Sequence, residues 1–180
     1  QRFAADLGAS FEQQTLLPSI GGDEPLIRAY LEHFFVKEDT YQPYAEFIKD
    51  DYLKKVFAEA KLLAGVGDAE KFTAMLPPAE YKALTERVDL DFAATNAKYF
   101  GPEEKITLDV DVKNVKSLIV KVYLVNALKY YQQVGEPVPL SLDLDGLVAN
   151  EQKTCAYTEA PLRRVRRTFE FAQLAGRGVY

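Results

Sequence analysis

What this chain has little of narrows its chemistry first. It holds one cysteine (Cys155), one histidine (His33), one methionine (Met75) and no tryptophan. A single thiol cannot close a disulfide within the chain, so the fold must stand on packing alone, and a reducing, cytoplasmic setting suits it. Without a Cys/His cluster, structural zinc of the usual kind is excluded. A Ser–His–Asp triad or a Cys155–His33 dyad would have to use His33, and no Gly-x-Ser-x-Gly elbow accompanies it. No apolar run nears the roughly 18–20 residues that span a bilayer. Gln1-Arg2-Phe3 opens without the apolar stretch of a secretory signal, and no Asn-x-Ser/Thr acceptor occurs.

What is present is apolar and aromatic. Hydrophobic residues make up 48% of the 180 residues, with eleven Phe and eleven Tyr. That suffices for a real core in one domain or two small ones. The net charge of -5 argues against nucleic acid as the partner, because phosphate binding needs a dense basic surface. The chain lacks an initiating Met, and Val179-Tyr180 reads as the opening of a strand. Both features predict a piece of a longer polypeptide.

Along the chain, residues 1–22 read as an arm or loop ending in Ser19-Ile20-Gly21-Gly22, with room for a short helix. Helical signals then begin. Asp23 is a cap, Pro25 suits a first turn, and Leu26, Ile27, Tyr30, Leu31, Phe34 and Phe35 form one apolar stripe. A second helix is expected from Pro43 to Ala64, with Phe47, Ile48, Tyr52, Val56, Phe57, Ala60 and Leu63 on its buried face and Gly65-Val66-Gly67 at its end. A third follows Asp68 to Met75, and a fourth starts at Pro77-Pro78 and reaches Val88. Short connections imply antiparallel helices, so residues 23–100 read as a helical segment of about four helices.

The period then changes from helical to two. Ile106, Leu108, Val110 and Val112 alternate with polar neighbours, as do Leu118, Val120, Val122 and Leu124, and Val138, Leu140, Leu142 and Leu144. Glu151–Tyr157 and Val165–Phe171 are further candidate strands, and Asn126–Gln133 reads as a helical turn or two. Phe100-Gly101-Pro102 punctuates the change. The fold class is therefore α+β: the helical segment, then an antiparallel β-sandwich-like module over residues 104–180, with the two able to share one core.

Chemistry is sparse. Asp143-Leu144-Asp145-Gly146 resembles part of a calcium loop but lacks its third Asp/Asn and its distal Glu. If the strands carrying them were neighbours, Asp109, Asp111, Asp143 and Asp145 would form one carboxylate face able to attract a cation, with Lys113 and Lys121 as counter-charges. The plainer reading is a solvated surface. The same carboxylates lack the burial that acid–base catalysis needs. Arg163, Arg164, Arg166 and Arg167 could grip an acidic protein or anionic surface. Strand alternation splits them between two faces, which suits cross-strand ion pairs better. Phe34, Phe35, Tyr41, Tyr44, Phe47 and Tyr52 read as core, or as a docking surface if exposed.

The stretch Val112–Asn126 resembles the opening strands of a macroglobulin-like domain of the alpha-2-macroglobulin-related proteins. Phe169–Leu174, followed by Arg177-Gly178-Val179-Tyr180, is similar to the strand, Gly, strand ending of those domains. The resemblance implies a β-sandwich module in a long multidomain scaffold. Its reactive thioester motif is missing, so no such role falls to Cys155. The sequence thus predicts a non-catalytic interaction or structural module without cofactor. It is expected to meet a protein partner or neighbouring domains, and neither nucleic acid nor membrane. The alternatives are part of a hydrolase whose catalytic residues lie elsewhere, and a calcium-dependent binding module.

Overall fold

The computed structural model describes residues 4–17, 21–139, 141–174 and 176–180. They form a helical segment followed by antiparallel sheets, an α+β arrangement. The chain divides into two compact units, 1–88 with 160–165, and 89–159 with 166–180. The Phe100-Gly101-Pro102 punctuation falls inside the second unit, because a strand the alternation did not reveal precedes it.

The first unit is built on helices. α1 (Phe11–Thr15) is a single short piece capped by Ser10. α2 (Glu24–Phe35) starts with Pro25 in its first turn, where a missing N–H costs nothing. The helix expected from Pro43 to Ala64 is two pieces. A 3-10 turn spans Gln42–Tyr44, and α3 begins only at Asp50 and runs to Ala64. The N-terminal segment causes the break. Ala5 N–H donates to the Phe47 carbonyl at 2.7 Å, and the Ala5 carbonyl accepts from Lys49 N–H at 3.0 Å. Those main-chain groups are thereby drawn out of the helical ladder. α4 (Ala69–Ala74) starts at Asp68, whose carboxylate accepts from Glu70 and Lys71 N–H. α5 (Pro78–Glu86) follows the diproline.

α3 is the central element, with every residue from Val56 to Leu63 buried. Phe57 anchors the core. Phe35 and Phe72 meet its ring edge-on at centroid distances of 5.3 and 5.8 Å, and Tyr41 lies tilted at 5.5 Å. Edge-to-face aromatic pairs add about 0.5–1.5 kcal/mol each beyond area burial. Leu162, from the 160–165 segment, packs on the same cluster.

The second unit holds two sheets, one of whose strands begins in the 160–165 segment. β1 (Asp89–Phe92), β2 (Thr107–Lys113) and β5 (Arg164–Glu170) form one in the order β1-β2-β5; β3 (Ser117–Val122) and β4 (Glu151–Ala156) form the other. β1 escaped the sequence reading because its apolar residues are exposed, Phe92 at 71%. Buried Val110, Val112 and Phe169 from the first sheet meet Leu118, Val120 and Cys155 from the second, a small sandwich core. β2 and β3 follow each other in sequence yet lie in different sheets, the chain turning at Asn114 with φ +54°. α6 (Ala127–Val134) is the expected helix, capped by Asn126 and ended at Gly135.

The strand expected over Val138–Asp145 does not form where the chain is described. Leu140 and Pro18-Ser19-Ile20 lie outside the described residues. Asp143 accepts from Asp145 N–H at 2.9 Å, and Leu147 N–H donates to the Leu144 carbonyl at 3.2 Å. These local bonds make turns, and Pro137 and Pro139 withhold ladder donors.

Candidate interaction surface

α2 presents two apolar rows instead of one stripe. Ile27, Leu31 and Phe35 enter the core. Leu26, Tyr30 and Phe34, offset by one residue, stand exposed at 62%, 60% and 44%. Apolar side chains at i, i+4 and i+8 share one helix face, so this is a continuous ridge. Exposed His33 beside it meets the Phe34 ring edge-on at 5.5 Å. The aromatic run divides likewise. Phe35 is fully buried and Tyr41, Tyr44 and Tyr52 are half-buried, whereas Phe34 and Phe47 face solvent. In the sequence the two rows read as one stripe, because a core-facing helix ordinarily carries adjacent i, i+4 rows.

The opposite flank of α2 is polar and tied down. Arg28 pairs with Glu32 at 2.9 Å and with Glu59, a buried residue of α3. Burial works against the Arg28 charge, but Glu59 and Glu32 outweigh it and hold the guanidinium above its ordinary range. Tyr52 donates to Glu24 at 2.6 Å, and burial with that carboxylate pushes its phenol well up. Buried Lys61 donates to the Val36 carbonyl at 3.1 Å. Asp6 accepts from Lys49 at 2.6 Å, which holds its carboxyl below the usual value.

The four arginines each make contacts within the protein. Arg163 donates to the Ala64 carbonyl in the first unit. Arg166 makes a bidentate pair with Asp111, both bonds 2.9 Å. Arg167 pairs with Glu159 and lies 4.6 Å over the Tyr157 ring. Arg164 also has a partner. Of these contacts, the Arg166–Asp111 pair joins two neighbouring strands, β5 and β2.

The four carboxylates that neighbouring strands would have put on one face have separate local contacts. Asp109 accepts from the Thr168 hydroxyl at 2.6 Å, and Asp111 is held by Arg166, both on β2. Asp143 and Asp145 sit in a turn. Among the described residues no group of three or more His, Cys, Asp or Glu is placed to hold a metal ion. Lys113, expected as an exposed counter-charge, is buried with 1% exposure. It closes β2 opposite Asp89. Cys155 is half-buried against the second unit's core.

Against known proteins, residues 1–88 match the family model of the actin-binding protein F N-terminal domain. Residues 118–180 match the model of the AbpF first immunoglobulin-like domain. The first match ends where the first unit gives way to β1. Actin-binding protein F of Dictyostelium discoideum is 33% identical over 161 residues, covering 88% of this chain. The chain spans 7% of the length of that relative. No solved structure matches. The macroglobulin-like resemblance is thereby overturned, since its stretch falls largely in the segment that matches the immunoglobulin-like model. Alternating strands and a strand, Gly, strand ending are common to many sandwiches, so they carried architecture and not kinship.

Proposed function

We propose that this chain is a non-catalytic binding module and that the protein it contacts is actin. The observation that carries the reading is the 33% identity over 161 residues to a protein named actin-binding protein F. The geometry is compatible with it. The polar clusters are spent on internal pairs, and the exposed Leu26, Tyr30 and Phe34 ridge offers apolar area of the kind that marks protein contacts. Nothing in the arrangement favours the hydrolase or calcium alternatives.

Co-sedimentation of the chain with increasing filamentous actin tests this. Saturable pelleting is expected. Tyr30→Glu should weaken it on the order of tenfold without changing the melting temperature, as for an aromatic contact at the centre of an interface. A chain that stays in the supernatant at every actin concentration would overturn the assignment. It would instead favour a second reading, a spacer that positions other regions, which the 7% share of the relative's length supports.

A further inference from the structure

The β3–β4 sheet is open along β3, and one rung of an additional ladder is already laid. In an antiparallel pair, alternate residues direct N–H and C=O toward the partner and the others away. Tyr157 N–H donates to the Lys116 carbonyl at 3.0 Å, and the register sets Leu118 opposite Cys155, Val120 opposite Lys153 and Val122 opposite Glu151. Even-numbered positions of β3 therefore bond to β4. Ser117, Ile119, Lys121 and then Tyr123 direct their main-chain groups to the other side. Among the described residues no strand pairs there.

Val125 continues that odd series. Its N–H donates to the Val179 carbonyl at 2.8 Å in an antiparallel bridge. Val179 thus lies on the open side and runs against β3. Carried on in register, an incoming backbone would pass Tyr123, Lys121, Ile119 and Ser117 in turn. Gly178 permits the close approach, because a Cβ there would stand 2.9 Å from the Leu124 Cδ1.

We propose that the free edge of β3 is a docking edge for one further antiparallel strand, arriving in line with Val179 and Tyr180. Rows of unpaired main-chain groups are templates for strand addition. The occupant is a stretch of polypeptide joined on after Tyr180, extended and with alternating side chains, since the Val125–Val179 bridge sets its direction and register. Those in phase with Leu118 and Val120 are apolar, since these two lean onto Val110 and Phe169. Those in phase with exposed Lys121 are polar or acidic. A second copy pairing edge to edge fits less well, because Val179 already occupies the Val125 end. This inference is independent of the actin reading.

The test attaches about six alternating Val and Thr residues after Tyr180, a typical strand length, and follows amide hydrogen exchange in the whole chain. Exchange at Ile119, Lys121 and Tyr123 should slow on the order of tenfold or more, while Leu118, Val120 and Val122 keep their existing protection. Ile119→Pro in the extended chain removes one outward donor and no β4 bond. It should abolish the slowing yet leave Leu118 and Val120 protected. Unchanged exchange at Ile119 and Lys121 in the extended chain would overturn the proposal. So would slowing that survives Ile119→Pro, or slowing in the unextended chain that grows with protein concentration, which would assign the edge to a second copy.

Discussion

The Arg163 guanidinium donates to the main-chain carbonyl of Ala64, ninety-nine positions away, where α3 ends. A helix leaves its last carbonyls without partners, and its C-terminus favours a cation. Gly65 completes the arrangement. Its φ is +63°, and a Cβ there would fall on the Arg163 guanidinium.

Gly65→Ala should therefore lower stability by about 1–2 kcal/mol, from the left-handed backbone and the displaced arginine. Arg163→Met should cost a similar amount, about 1–2 kcal/mol, for a charged hydrogen bond lost from a half-buried site. The double variant should lose less than the sum of the two, because both changes remove one contact. Urea unfolding of all three chains measures this.

The Arg28–Glu59 pair should behave as a buried one. Arg28→Ala leaves the Glu59 carboxylate buried without its main partner and should cost about 2–4 kcal/mol. Replacing both together, Arg28→Met with Glu59→Leu, should recover most of that loss. Equal melting temperatures for the Arg28→Ala chain and the unaltered one would contradict this account.

Arg166→Ala provides the contrast. Its pair with Asp111 has good geometry, but the arginine side chain is 53% exposed. The expected loss is no more than about 1 kcal/mol, and it should shrink in molar salt.

Glu159 should show its pairing in a titration. Bonds to its own main chain and then to Arg167 hold its carboxyl below the usual value. A depressed carboxyl stabilises the fold above its unfolded value of 4.5, and that contribution fades as pH falls through the folded value. Carboxyl NMR of Arg167→Leu should show the Glu159 midpoint moving back up. An unmoved midpoint would mean that the arginine does not hold it.

Local pattern was legible in the residues. Pro25 marked the first turn of α2, although Asp23 makes no side-chain capping bond there; Asp68 opened α4, the diproline opened α5, and Asn126 with Gly135 bounded α6, because caps and breakers act within one turn of chain. Alternating Val110 and Val112 placed β2, and Leu118 and Val120 placed β3, because one face of each had to be buried. The candidate site was less legible. Both rows of α2 are apolar, and only the position of Phe57 shows that Leu31 and Phe35 point inward while Tyr30 and Phe34 do not.

The sequence by itself determined that helices precede strands, that no metal cluster of Cys and His is available, and that the core is aliphatic and aromatic. Those properties depend on residue type and short-range spacing. Tertiary structure alone decided that Ala5 would interrupt a helix at Phe47 and Lys49, that Arg163 would meet Ala64 and Arg166 would meet Asp111, and that Val179 would lie beside Val125. Each of these pairs residues far apart in the chain. Local periodicity carries no information about which distant main-chain group or charge will lie within bonding distance.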